Sequence, residues 1–400
     1  MASPVVTSLW RKPATRPQVA LARAAATTGA VVVVWGLLRM GGVSPVFGGG
    51  VSRMVHGRGR AGNETALGDA ALSVNGAPAG AGDGPAALTE APSAADLEGI
   101  RECKDAARNY MLTHLKDFHA ESGAWGLKSA MLALRGSLVD TGTETAGNAP
   151  TAPLVVDVGA NRGQNVPVWR AIYGEAAHMV LVEGNPVAAR ALSSDFADKS
   201  DTVVVVQRLV GNSTKEMNFR VPKGDTSLER AAIQAEESVG LFPDEFDYVK
   251  LPVDTLDDIL TNPALVPTGW VDPSRQYPID FLKIDTEGWD VTALQGAPAA
   301  LQRTRFVLWE CHLLMALVNG PGTTHAQAAE LLAGHGFESY KVSPQFVRFD
   351  GVFAMPEVDE RANMGWQNCF AIRSDDPLRP ELLGRFNHLF QCVKPLKLVV

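Results

Sequence analysis

The sequence predicts an α/β fold in which a mainly parallel sheet carries helices on both faces. Three observations predict it. Hydrophobic residues make up 46% of 400, enough for a sizeable core. From residue 150 onward, short apolar runs alternate with helical patterns. Several of those runs end in a carboxylate with a glycine close behind, as expected where a parallel sheet opens a ligand crevice at the carboxyl ends of its strands.

In chain order, apolar residues at helical spacing from Leu97 to Phe118 predict one or two helices that precede and pack on the core. Strands follow at 154–158, 179–182 and 203–206, with helices at 166–173 and 186–196, Pro186 suiting a first helical turn. Residues 208–222 suggest a hairpin turning near Asn212, and 249–253 another extended piece. A short helix at 255–260 leads to a strand at 279–284, a helix at 288–295 and a strand at 306–309. A helix at 325–333 and strands at 337–342 and 369–372 complete the body.

The head of the chain differs. Eight basic residues and no acidic one precede Glu64, so the −8 of the whole chain leaves −16 for residues 64–400. An acidic body argues against nucleic acid as a partner, because phosphate binding needs clustered Lys and Arg. Residues 1–23 form a basic segment, and 24–40 an apolar run predicted as a signal-anchor. A cleaved signal peptide, or a transit peptide for a chloroplast or mitochondrion, are the alternatives. Residues 41–94, rich in Gly and Ala, are expected to be a disordered stalk, 95–149 a helical lead-in and 150–400 the catalytic domain. These readings together predict a single-pass type II membrane protein of the secretory pathway, with the Golgi as its compartment. Of the four cysteines, Cys103 and Cys392 flank the core in sequence as a candidate pair, and no CxxC or His/Cys cluster has zinc-ligand spacing.

The chemistry is expected at the strand exits. The first, VVDVGANRGQN (155–165), ends in Asp157 and turns through Gly159, Asn161 and Gly163. Its G-x-x-x-G spacing is not the dinucleotide fingerprint, which favours a nucleoside without a pyrophosphate. The second exit, VEGNP (182–186), offers Glu183 to accept the two hydroxyls of a ribose, with Asn185 beside it. The alternative for these residues is structural: a strand-to-helix turn and a helix cap. Taken with VDTLDDIL (253–260), FLKIDTEGWDVTALQGA (281–297) and a strand ending in Glu310, the order and spacing resemble the FkbM family of methyltransferases over roughly residues 150–345.

The resemblance implies a class I Rossmann-like methyltransferase fold with a mainly parallel seven-stranded sheet, S-adenosylmethionine as methyl donor, and a hydroxyl oxygen as acceptor. It makes Asp157, Gly159, Asn161, Gly163, Glu183 and Asn185 the candidate donor-binding residues. A glycan is the acceptor expected in a Golgi lumen. Trp289 stands where the family often has a small residue, which implies a differently shaped acceptor mouth.

Strand periodicity puts Phe281, Lys283 and Asp285 on one face of their strand. A lysine in a strand covered on both sides must be paired, and Asp285 and Glu310 are its candidate partners, tying the fourth strand to the fifth. Asp285 or Glu287 is the candidate acceptor of the hydroxyl proton, and His312 a further base. Asp285, Glu287 and a third oxygen would suit magnesium, but the pattern is too short to assign a metal. Three rival readings remain: an organelle methyltransferase acting on a lipid or small metabolite, a non-catalytic scaffold that keeps the fold, and a nicotinamide oxidoreductase. The missing G-x-G-x-x-G disfavours the last.

Overall fold

The computed structural model describes residues 94–113, a few positions between 127 and 138, and 152–391 except 224–230, 235–243, 343–345, 356–366 and 386–389. Its main sheet has nine strands. Five of them, β1 (Leu154–Val158), β2 (His178–Val182), β3 (Val203–Val206), β8 (Ile279–Ile284) and β9 (Thr304–Glu310), run parallel in the order β3-β2-β1-β8-β9. The sheet continues through β12 (Asn368–Arg373), antiparallel to β9, then β10 (Phe337–Lys341), β11 (Phe346–Arg348) and β13 (Phe390–Gln391). The expected seven strands are therefore exceeded, because β11 and β13 extend the edge beyond β10.

A second sheet of four strands, not foreseen as a unit, consists of β4 (Leu209–Val210), β5 (Lys215–Pro222), β6 (Ala232–Gln234) and β7 (Phe246–Asp254). The hairpin expected over 208–222 does not form. β4 and β5 instead both pair with β7, the first parallel and the second antiparallel.

The alternation of side chains along the main strands builds a core on each face. Leu154, Val156, Val158, Leu282, Ile284 and Trp309 pack on one side. Val155, Met179, Phe281, Phe306 and Leu308 pack on the other, with Trp169 of α2 (Val166–Tyr173) against Phe281. α3 (Pro186–Asp195) leads from β2 to β3, and α4 (Leu256–Thr261) from the second sheet back toward β8. α5 (Asp290–Gln295) and α6 (Pro298–Gln302) then connect β8 to β9. α7 (Leu313–Val318) and α8 (His325–Gly334) lie between β9 and β10, and α9 (Arg379–Arg385) follows β12.

The chain order reverses between β2 and β8, on either side of β1. That is the topological switch point where open α/β sheets take ligands.

One expectation is corrected here. The type II anchor, and with it the Golgi assignment, is not supported: among the described residues no helix is long and apolar enough to cross a membrane. The longest of them, α1 (Ala94–Thr113), has the length but carries Asp96, Glu98, Arg101, Glu102, Lys104, Asp105 and Arg108. Residues 24–40 lie outside the described residues, as do the basic segment and all of the stalk except Ala94. A disulfide that was not foreseen joins Cys311 to Cys369. Antiparallel pairing sets Cys369 opposite Trp309, which brings Cys311, two residues further along the same path, within reach of it. Cys103 is also disulfide-bonded, while Cys392 lies outside the described residues.

Candidate active site

The exits of β1, β2 and β8 open into one cleft. Gly159, Asn161 and Gln164 line it from the first exit, Glu183 and Gly184 from the second, and Asp285, Thr286 and Glu287 from the third. The second sheet forms its roof through Leu209, Val210, Phe219 and Ile233.

At the first exit the backbone turns through left-handed conformations at Gly159 (φ 74°), Asn161 (φ 53°) and Gly163 (φ 71°). Gly159 is required twice over, since a Cβ there would sit 1.9 Å from the carbonyl oxygen of Asp285. Gly159→Ala should therefore cost about 2–4 kcal/mol and push the first exit away from the third. A urea midpoint equal to that of the parent chain would contradict this. Gly163 does not line the cleft; it lets the turn pack against Leu192 and Phe196.

Asp157 is fully buried and also outside the cleft lining. Its carboxylate accepts hydrogen bonds from Trp169 Nε1 (3.0 Å) and Asn165 Nδ2 (3.3 Å) and pairs with Lys283 Nζ at 3.0 Å. The amine it suits is thus one of the protein's own. Asp157 is a partner that was not foreseen for Lys283, beside the expected Asp285. The lysine lies opposite Asp157 in the β1–β8 register, so it ties β8 to β1 rather than to β9. It also pairs with Asp285 at 3.5 Å and donates to the Gly159 carbonyl at 3.3 Å. Burial alone would lower the pKa of Lys283, but the Asp157 and Asp285 carboxylates outweigh it and raise the value above the ordinary lysine range.

Glu183 receives the backbone N–H of Asn161 on one oxygen and that of Asn185 on the other, both at 2.7 Å. It thereby clamps the first exit to the second. Burial pushes its carboxyl up from the ordinary range, opposed by those two donors and by Lys283. Each carboxylate oxygen has room for a second donor, so the group remains able to accept hydroxyls from the cleft. Asn185 itself is a helix cap: it is buried, its Oδ1 accepts from Val187 N at 2.9 Å, and it lies outside the cleft lining.

At the third exit Glu287 holds a left-handed conformation (φ 56°) unusual for its residue type. Asn319 Nδ2 fixes it by donating to its carbonyl at 2.7 Å. Asp290 secures the same loop by accepting from Thr286 N and Gly288 N; burial and the nearby charge of Asp285 raise its pKa. One carboxylate oxygen from each of Asp285, Glu287 and Glu310 lies within 4.8 Å of the others. This donor set is of the type hard divalent cations take. It is also a concentration of negative charge at which a hydroxyl proton is readily accepted. His312 stands at the N-terminal boundary of α7, one residue beyond Cys311, and is not among the lining residues.

Sequence reasoning did not foresee the roof or its attachment. Trp289 Nε1 donates to the carbonyls of Asn319 (2.8 Å) and Ile233 (3.1 Å), and its ring packs with Leu209, Phe219 and Val253. The indole thus pins the second sheet over the cleft. The departure from a small residue at 289 was the one visible signal.

Residues 157–339 match the sequence family described as the methyltransferase FkbM domain. No curated protein matches the chain. Among solved structures, the chain is similar to methyltransferase FkbM from Methylobacillus flagellatus (13% identity, TM-score 0.32), over 70% of this chain and 59% of that one. The chain therefore spans less than two thirds of that protein's length. It is also similar to an O-methyltransferase from Bacillus cereus solved with S-adenosylhomocysteine (13% identity, TM-score 0.28), over 70% of this chain and 90% of that one. A third likeness is to TomG from Streptomyces achromogenes, an O-methyltransferase of tomaymycin synthesis solved with S-adenosylmethionine. There the identity is 14% and the TM-score 0.30, over 69% of this chain and 89% of that one.

Proposed function

We propose, on the premise that residues 157–339 are a methyltransferase FkbM domain, that this chain transfers the methyl group of S-adenosylmethionine to a hydroxyl oxygen. The observation that carries the reading is the cleft at the switch point. It is walled by a glycine turn and an apolar roof, and Glu183, Asp285 and Glu287 line it, the last two clustered with Glu310.

The residues present suit the donor. Glu183 accepts the ribose hydroxyls on its remaining lone pairs. Leu209, Val210, Phe219 and Ile233 give a flat base an apolar enclosure. The tight Gly159–Asn161 turn lets the backbone approach closely. Asp157, Gly163 and Asn185 serve the donor indirectly, by holding that turn and the β2 exit in place. The donor supplies an electrophilic methyl carbon on a sulfonium.

Transfer of this kind is an in-line displacement, so most of the catalytic effect lies in positioning. Asp285 or Glu287 takes the proton as the acceptor oxygen attacks, and Lys283 holds Asp285 at the β8 exit. A glycan acceptor followed from a Golgi location and is not carried forward. The acceptor proposed is a hydroxyl compound able to enter beneath the roof.

The test uses the full chain with methyl-labelled donor and a panel of alcohols, sugars and hydroxylated lipids, with release of S-adenosylhomocysteine as the readout. With an accepted substrate, Asp285→Asn and Glu287→Gln should between them identify the base. Loss of the true base should lower kcat by about 10²–10⁴-fold with little change in donor affinity. Label appearing on nitrogen or sulfur, with both variants fully active, would overturn the hydroxyl reading.

A further inference from the structure

A second cluster lies just past the acids, and neither donor nor acceptor uses it. Cys311, the residue after Glu310, is bonded to Cys369 of β12, with Cα atoms 5.8 Å apart. His325, the first residue of α8, faces the pair. A ligand atom from each of the three lies within 4.8 Å of the others. Cys311, His325 and Cys369 are only 1%, 5% and 0% exposed.

The histidine is the unexpected member. A disulfide has no need of an imidazole beside it, and an apolar side chain would fill the space without the cost of burying a polar ring. Its Nε2 is buried with no hydrogen-bond partner. Buried polar atoms in native structures are nearly always satisfied, so an unsatisfied one on a ring beside two sulfur atoms points to a ligand. Burial, reinforced by Lys341 and His312, holds the imidazole well below its ordinary pKa, and the neutral ring is the form that ligates metals.

We propose that reduction of the Cys311–Cys369 disulfide turns this cluster into a binding site for one divalent metal ion of the zinc class. The ligands are the two thiolates and His325 Nε2, and water completes the coordination. A dithiol reductant gives up two electrons and two protons to the disulfide and becomes a disulfide itself. The metal then displaces the two thiol protons to solvent. Sulfur and imidazole donors select a soft or borderline ion over magnesium or calcium. With Zn–S bonds of about 2.3 Å, the sulfurs of a tetrahedral site sit roughly 3.8 Å apart, which the opened cysteines reach by side-chain rotation. Two thiolates neutralise a divalent ion, so the nearby charge of Lys341 does not oppose the bound state. The site does not depend on the methyltransferase reading.

The test is a titration of the full chain with cobalt(II), a zinc surrogate whose thiolate charge-transfer absorption reports sulfur ligation, after reduction by a phosphine under inert gas. One equivalent should bind with that absorption, and the oxidised chain should bind none. His325→Ala should weaken binding by about tenfold or more, Cys369→Ser should abolish it, and a Cys103→Ser/Cys392→Ser chain should bind as the parent does. The proposal is overturned if the folded, reduced chain takes up no cobalt, or if His325→Ala binds as tightly as the parent. Should the variants not fold, alkylation of the parent decides. Zinc must slow modification of Cys311 and Cys369, and equal rates with and without zinc would equally overturn the proposal.

Discussion

Glu183→Ala should remove donor binding from a chain that still folds. The carboxylate is expected to accept two ribose hydroxyls, and a hydrogen bond to a charged group is worth about 1.5–3 kcal/mol. Losing both corresponds to a rise in the dissociation constant of about 100-fold or more. A second loss adds to the first, because the N–H groups of Asn161 and Asn185 forfeit their acceptor and the turn is no longer clamped to the β2 exit. Glu183→Gln separates the two effects. Its amide offers one acceptor oxygen and one donor nitrogen, so it can satisfy one of the two N–H groups and should bind about tenfold more weakly than the parent. Calorimetry with S-adenosylhomocysteine reads all three chains, and equal affinity in the alanine variant would remove Glu183 from the donor site.

Lys283→Met should be among the most destabilising single substitutions in the main sheet, costing about 3–5 kcal/mol. The reason is Asp157, which is fully buried and would be left without its cation. Folding raises the lysine pKa, so its contribution is complete below the unfolded pKa and is lost only as the pH climbs through the higher folded value. Neutral pH therefore samples the whole effect. Lys283→Met combined with Asp157→Asn should recover part of the loss, because no unpaired charge remains. Urea unfolding of the four chains measures the coupling. Strict additivity of the two substitutions would mean that the pair does not act as one unit.

These residues also show what could be read without coordinates. β1, β3 and β8 were legible to the residue, because each is a short, mainly apolar run bounded by turn formers. The position of Glu183 at the cleft was legible, because an acid ending such a run stands at a strand exit. One partner of Lys283, Asp285, was legible, and the other was not. Asp285 is close in sequence, whereas Asp157 becomes a neighbour only through the register of β1 against β8. The roof was illegible for the same reason. β5 and β7 alternate buried and exposed side chains unevenly, and they acquire meaning only by pairing with each other over the cleft. Gly163 and Asn185 were picked out by their residue types, but they act on packing and capping, since a positive φ or a helix cap leaves the same trace in a sequence whether or not a ligand is near. The cysteine pairing followed strand adjacency, which separation along the chain does not reveal.

The most direct measurement is calorimetric titration of the full chain with S-adenosylmethionine and S-adenosylhomocysteine, with NAD as the competitor class. The account predicts that both donor forms bind one per chain and that NAD does not. A folded chain that binds neither donor form, or that binds NAD in their place, would contradict it.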